Sequence, residues 1–149
     1  MATKSAAKKR AKQAPVKTHR TTASVAEFIA AVENDTRRED ALAIDRMLRE
    51  ITGEEPAMWG PSIIGYGSYK LTNSMGEADW PKIGFSPRKT STVLSIVPSI
   101  LESDPLMKKL GKYKLGKTCL YINKLTDVDL DVLRELATRS WKHMTEKHG

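Results

Sequence analysis

The chain has 149 residues, of which 40% are apolar and 29% are charged, as expected for one globular domain with an ordinary hydrophobic core. No run of about 18 apolar residues occurs, so the sequence argues against a membrane-spanning helix. Cys119 is the single cysteine, which excludes an internal disulfide framework. The N-terminus also lacks the apolar segment of a secretory signal, and we therefore predict a cytoplasmic protein with no membrane partner.

Basic charge is concentrated at the N-terminus. Residues 1–22 contain seven of the 25 Lys and Arg residues and no acidic residue, which leaves 18 basic against 18 acidic residues in the remainder. Because this segment has almost no large apolar side chain, we predict a disordered basic tail over 1–22 and a single domain over 23–149. Two interpretations of the tail stay open: non-specific contact with nucleic acid through phosphate groups, or a solubilising extension.

Two helices are predicted first, joined as a hairpin. Ser24 and Glu27 have the spacing of a capping box, and apolar residues at helical spacing extend the first helix to about Asn34. A second capping signal at 36–39 begins another amphipathic helix, which Gly53 ends.

Strands are predicted in the middle of the chain, where short segments rich in β-branched and aromatic residues alternate with turn residues. These segments are 63–70, 82–86, 92–97 and 118–122. A short helix over 104–110 and a last amphipathic helix from Thr126 follow the same reasoning. The order predicts an α+β domain, with an antiparallel sheet of about four or five strands and the helices packed on one face.

Residues 111–118 match G-x-x-x-x-G-K-[ST], the spelling of a phosphate-binding P-loop. A P-loop requires a strand before it and a helix after it, whereas here a predicted helix precedes Gly111 and a predicted strand follows. The string therefore predicts no NTPase site. Since no other catalytic motif occurs, we predict a non-enzymatic domain.

Basic residues nevertheless cluster around these glycines, and aromatic residues occur near others. We predict a site for a small phosphate- or carboxylate-bearing ligand, lined by Trp59, Tyr66, Arg88, Lys89, Lys112, Lys114 and Lys117. The alternatives are a solvated lysine loop and aromatic residues that belong to the core. Cys119 is either a reactive thiol or a small buried apolar residue.

Acidic residues are frequent in the helical hairpin, and carboxylate oxygens are the ligands that hard cations prefer. The candidate metal ligands are Glu27, Glu33, Asp35, Glu39 and Asp40. Four arginines between 37 and 49 are interleaved with these acids, which is also the pattern of an ordinary solvated helix face. Both interpretations stay open.

Several segments, in one order, resemble the YdhG-like domain family of small bacterial proteins, most of which are described only as a domain of unknown function. They are 58–67 (Met-Trp-Gly-Pro-Ser-Ile-Ile-Gly-Tyr-Gly), 84–89 (Gly-Phe-Ser-Pro-Arg-Lys), 111–122 (Gly-Lys-Tyr-Lys-Leu-Gly-Lys-Thr-Cys-Leu-Tyr-Ile) and 125–136. The likeness covers residues 24–145 approximately, which is everything but the tail.

The resemblance implies an α+β domain with frataxin-like architecture. One branch of the family is proposed to act as frataxin-like iron chaperones, so the resemblance implies iron as a cofactor and iron-cluster or haem assembly proteins as partners. Frataxin-type iron binding uses an acidic ridge on the first helix and the adjoining sheet edge, and the five acidic residues named above are the candidates for such a ridge in this chain.

Overall fold

The computed structural model of the chain describes residues 20–73, 76–116 and 119–148. Its helices are α1 (Val25–Ala30), α2 (Asp35–Thr52), α3 (Pro98–Ser103), α4 (Met107–Leu110) and α5 (Leu130–His148), with a 3-10 turn at Leu125–Asp127. Its strands are β1 (Ala57–Trp59), β2 (Ile63–Tyr66), β3 (Tyr69–Asn73), β4 (Gly76–Trp80), β5 (Ile83–Pro87), β6 (Thr92–Ser95), β7 (Lys114–Leu115) and β8 (Cys119–Ile122). The predicted α+β class is confirmed.

Six strands form one antiparallel sheet in the order β1-β2-β5-β6-β8-β7, while β3 and β4 pair only with each other. The register aligns a row of buried apolar side chains on successive strands: Met58, Ile64, Phe85, Leu94 and Leu120. This row shares one core with the inner faces of α2 and α5. The two long helices therefore cover one face of the sheet. Side chains beneath them belong to the core, so a binding site has to use residues outside that face.

Capping residues decide where the first two helices begin. The side chain of Ser24 accepts a hydrogen bond from the Glu27 amide (3.1 Å), as its spacing predicts. The first helix ends at Ala30 and not near Asn34, because Asn34 caps α2 by accepting from the Arg37 amide (2.9 Å). Gly53 ends α2 in the left-handed region at φ 69°, as predicted.

The strand predicted over 63–70 is interrupted at Gly67. A φ of 67° at Gly67 lies outside the strand region, so β2 ends at Tyr66 and the chain turns into the β3–β4 hairpin. That hairpin and the short strands β1 and β7 are absent from the predicted set. Two-residue and polar strands lack the apolar alternation on which the prediction depends.

Asp129 sets the start of the last helix. Its carboxylate accepts from the amides of Asp131 (2.9 Å) and Val132 (3.2 Å), so α5 begins at Leu130 and not at Thr126. The short helix predicted over 104–110 is confined to α4, and α3, which begins at a proline, is an additional helix.

The glycine- and lysine-rich string at 111–118 joins α4 to the β7–β8 hairpin. β7 lies inside the string, and β8 is the element that follows it. Lys117 and Thr118 lie outside the described residues. Gly111 has φ 120° and approaches the start of the last helix closely: a Cβ added there would lie 2.4 Å from the backbone oxygen of Asp127.

Arg37 is a buried basic residue, 5% exposed, in the first turn of α2. Its guanidinium donates to the backbone oxygens of Arg88 (2.8 Å), Lys89 (3.2 Å) and Asn123. The β5–β6 turn and the segment after β8 are thereby attached to α2. The solvated-face interpretation is wrong for this arginine.

Arg20 and Thr21 lie along the outer edge of β1. The Thr21 amide donates to the Met58 oxygen (2.8 Å), and Arg20 forms an antiparallel bridge with Trp59. Residues 1–19 of the predicted tail lie outside the described residues. None of the described helices combines the length and apolar character needed to cross a bilayer.

Candidate functional site

A cleft of about 250 Å³ lies at the end of the sheet where β1 begins and β2 ends. Its lining comes from distant parts of the chain: the first described residue, the segment between α2 and β1, the β2–β3 turn and the last helix. The aromatic and charged lining residues are Trp59, Trp141, Arg20, Lys82, Glu54 and Glu55. The cleft thus combines two indole rings with side chains of both charges.

Each basic side chain of the cleft lies over an indole ring. The guanidinium carbon of Arg20 is 5.3 Å from the ring centroid of Trp59, and the Lys82 nitrogen is 5.3 Å from that of Trp141. Such cation–π contacts hold a cation in place without neutralising its charge. Among the described residues, neither Arg20 nor Lys82 forms an ion pair with a carboxylate.

Two glycines allow the tryptophans to approach the backbone of β2. A Cβ added at Gly65 would lie 2.6 Å from Trp59 Cδ1, and one added at Gly67 would lie 2.8 Å from Trp141 Cη2. Distances under 3.0 Å are not tolerated by real Cβ atoms, so any side chain here would displace an indole ring. The glycines therefore set the width of the cleft.

A hydrogen-bonded chain behind the cleft fixes one of its acidic residues. The Tyr66 hydroxyl donates to Asp45 (2.5 Å), which accepts from Arg49 (3.1 Å), and Arg49 also pairs with Glu55 (2.9 Å). Tyr66 itself is fully buried on the face covered by the helices. Glu55 is therefore already paired with a basic residue, which it shares with Asp45.

Burial raises the pKa of the Tyr66 phenol far above its usual range, and the hydrogen bond to Asp45 raises it further. Above pH 10 the unfolded chain would lose this proton while the folded chain keeps it, so stability falls as pH rises. We expect the Tyr66→Phe variant to lose less stability than the wild type between about pH 10 and 11, by up to ~1.4 kcal/mol per pH unit. Urea unfolding at several pH values measures this difference.

Tyr69, whose pKa burial also raises, is present in both proteins and cancels in that comparison. Below pH 9 the variant should be less stable by a constant ~1–3 kcal/mol, because it lacks the hydrogen bond to a charged group. Parallel stability curves above pH 10 would contradict a Tyr66 proton that is retained only by the folded state.

The predicted anion-site residues are not brought together. Tyr66 pairs with Ile83 at the start of β5, whereas Arg88 and Lys89 follow its other end, which is ~13 Å away at about 3.3 Å per residue. Lys112 and Lys114 are exposed beside β7, the edge strand opposite β1. Of the predicted set, Trp59 alone lines the cleft, and Lys117 lies outside the described residues.

The five candidate metal ligands have separate surroundings. Asp35 pairs with Arg38 (2.5 Å), and Asp40 accepts from the Leu125 amide (3.0 Å). Glu27, Glu33 and Glu39 are exposed. Within the described part of the chain, no group of three or more His, Cys, Asp or Glu side chains is arranged to hold a metal ion. Iron binding stays a prediction of the family resemblance.

Four lining residues of the cleft are not predicted from the sequence as site residues: Arg20, Lys82, Glu54 and Trp141. Lys82 reads as the first residue of a strand, and Trp141 as part of the apolar stripe of the last helix. One signal was present: Gly65 and Gly67 flank a strand residue, and glycine in a strand often marks the close approach of another group. The sequence does not say that this group is a tryptophan 74 residues further on.

No protein-family model matches the sequence, and no curated protein or solved structure is significantly similar to it. The resemblance to the YdhG-like family accordingly stays a prediction from the segments that carry it.

Proposed function

We propose that this chain is a binding domain for a small ligand with an acidic group, held in the cleft between Trp59 and Trp141. One observation carries the proposal: Arg20 and Lys82 each lie over an indole ring at 5.3 Å, and neither has a carboxylate partner among the described residues. A carboxylate or phosphate in the cleft would supply the missing counter-ion. The proposal concerns binding and includes no chemical step.

The surroundings of Lys82 favour an anion. Lys82 is half-buried, and its nitrogen lies 5.3 Å from the centroid of the Trp141 ring. A charge-assisted hydrogen bond to an acidic ligand is worth roughly 1.5–3 kcal/mol in such surroundings. At ~30 Å³ for each water molecule, the cleft of about 250 Å³ holds about eight waters. This volume suits a small metabolite.

The ligand class is an alternative that the sequence leaves open beside iron binding, but the position differs. The predicted site uses the lysines of the 111–118 string, whereas the cleft uses Lys82 and Arg20 at the other edge of the sheet. Trp59 belongs to both sets. Substituting one lysine at a time distinguishes the two possible binding sites.

We expect the Lys82→Met variant to bind short carboxylates and inorganic phosphate at least ~10-fold more weakly than the wild type, which corresponds to the loss of about 1.4 kcal/mol. Met keeps the apolar stem of the lysine and removes its charge. Binding is measured by tryptophan fluorescence, since Trp59 and Trp141 line the cleft, and by the ligand-induced rise in melting temperature.

Lys89→Met and Lys114→Met are the matched controls, because both lysines are exposed and lie away from the cleft. Both variants should bind as the wild type does. Loss of binding in Lys114→Met with retention in Lys82→Met would refute the cleft and favour the glycine- and lysine-rich string. No binding of any acidic probe to the wild type would refute the proposed function.

We also infer a frataxin-like architecture for the domain. An antiparallel sheet with α2 and α5 packed side by side on one face supports this assignment, as does their position near the two ends of the folded domain. A frataxin-like architecture alone identifies no ligand, and the cleft rests on its own residues.

A further inference from the structure

The two acidic residues at the cleft differ in how they are paired. Glu55 forms an ion pair with Arg49 at 2.9 Å. Glu54, beside it, has neither an ion pair nor a side-chain hydrogen bond among the described residues. The lining therefore holds one carboxylate without a cationic partner and two cations without an anionic partner.

The backbone holds Glu54 at the cleft. The Glu54 amide donates to the Thr52 hydroxyl (3.0 Å), and this hydroxyl donates to the Leu48 oxygen in the last turn of α2 (2.8 Å). Gly53 between them adopts φ 69° and ends the helix. The carboxylate of Glu54 thus projects from a backbone position that α2 and its cap fix.

We infer that the ligand of the cleft is an amino acid or a similar small molecule that carries an ammonium group together with its acidic group. Lys82 and Arg20 take the acidic group, and Glu54 accepts hydrogen bonds from the ammonium. The inference rests on the proposed function, because it assigns the second charged group of the same ligand. The cleft volume of about 250 Å³ leaves room for a molecule of that size.

Ligands with a single charge satisfy only part of this lining. A simple carboxylate pairs with Lys82 and Arg20 but leaves Glu54 unpaired. A simple amine pairs with Glu54 and is repelled by the two cations. A zwitterion satisfies all three side chains at once, so the arrangement of charges discriminates between ligands of equal size.

Four probes of one chain length test the inference: pentanoate, pentylamine, L-norvaline and 5-aminopentanoate. The last two add an ammonium to pentanoate at the α and the ω carbon. We expect at least one of them to bind at least ~5-fold more tightly than pentanoate, as for an exposed charge pair. Pentylamine should bind more weakly than pentanoate. Affinities come from tryptophan fluorescence titration of the full chain.

The Glu54→Gln variant should remove the advantage of the amino compounds and bind pentanoate more tightly than the wild type, because it lacks the charge that repels a carboxylate, while its backbone amide keeps the bond to Thr52. Glu39→Gln, which removes an exposed carboxylate near the start of α2 and away from the cleft, is the control and should retain the advantage. Equal binding of pentanoate and both amino compounds would overturn the inference and leave the proposed function standing. Failure of pentanoate and both amino compounds to bind would overturn both.

Discussion

The Arg37→Met variant is expected to lose about 3 kcal/mol of unfolding free energy, because three backbone oxygens each lose a hydrogen bond from the guanidinium, worth roughly 1 kcal/mol apiece. Methionine fills the channel of the arginine stem but donates no hydrogen bond. The backbone oxygens of Arg88, Lys89 and Asn123 then lie beside the first turn of α2 without the hydrogen bonds that Arg37 donates. Urea unfolding at neutral pH measures the loss.

Arg46→Met is the matched control in the same helix. Arg46 is exposed and makes no ion pair or side-chain hydrogen bond among the described residues, so its replacement should change stability by less than about 0.5 kcal/mol. Arg37→Lys, which restores one donor group without the planar fork, should fall between the two. Equal losses for Arg37→Met and Arg46→Met would show that the three carbonyl contacts do not stabilise the fold.

Gly111→Ala is expected to be the most damaging glycine substitution near the sheet edge. A non-glycine residue at φ 120° is strained by about 1–3 kcal/mol, and the new Cβ would also lie 2.4 Å from the backbone oxygen of Asp127. Backbone cannot move aside as a side chain can, so overpacking adds roughly 1–3 kcal/mol. We expect a total loss of about 2–6 kcal/mol in urea unfolding.

Gly76→Ala separates the two contributions. Gly76 has almost the same φ, 119°, but nothing lies within 4 Å of its added Cβ. Its substitution should therefore cost only the backbone strain. If the two alanine variants lost the same stability, the close approach of Gly111 to Asp127 would have no energetic consequence.

Local signals predicted the fold class, because helix caps and strand composition act over a few residues. Ser24 and Gly53 mark helix ends in the sequence, and both do so in the structure. Asn34 shows the limit of such signals. An asparagine can continue a helix weakly or cap the next one, and here the second use moved two helix boundaries.

Long-range pairing explains what the sequence did not indicate. Arg37 has the same local surroundings as its exposed neighbours, but its partners lie 51, 52 and 86 residues further along the chain. Lys82 likewise has the sequence pattern of an ordinary strand residue, and its contact with the Trp141 ring is seen only in the structure. The anion site was predicted at the 111–118 string instead, because lysines that are close together in the sequence can be recognised without knowledge of the fold.

The separation between Arg20 and Trp141 along the chain has a consequence for folding. A cleft that needs both residues cannot form until the N-terminal segment has docked on β1 and the last helix has packed against the turn after β2. A ligand would therefore bind only to chains in which the whole domain has folded, and not to chains in which a single motif has formed. A bound molecule would also oppose fraying at the two ends together, since both ends contribute to one binding free energy.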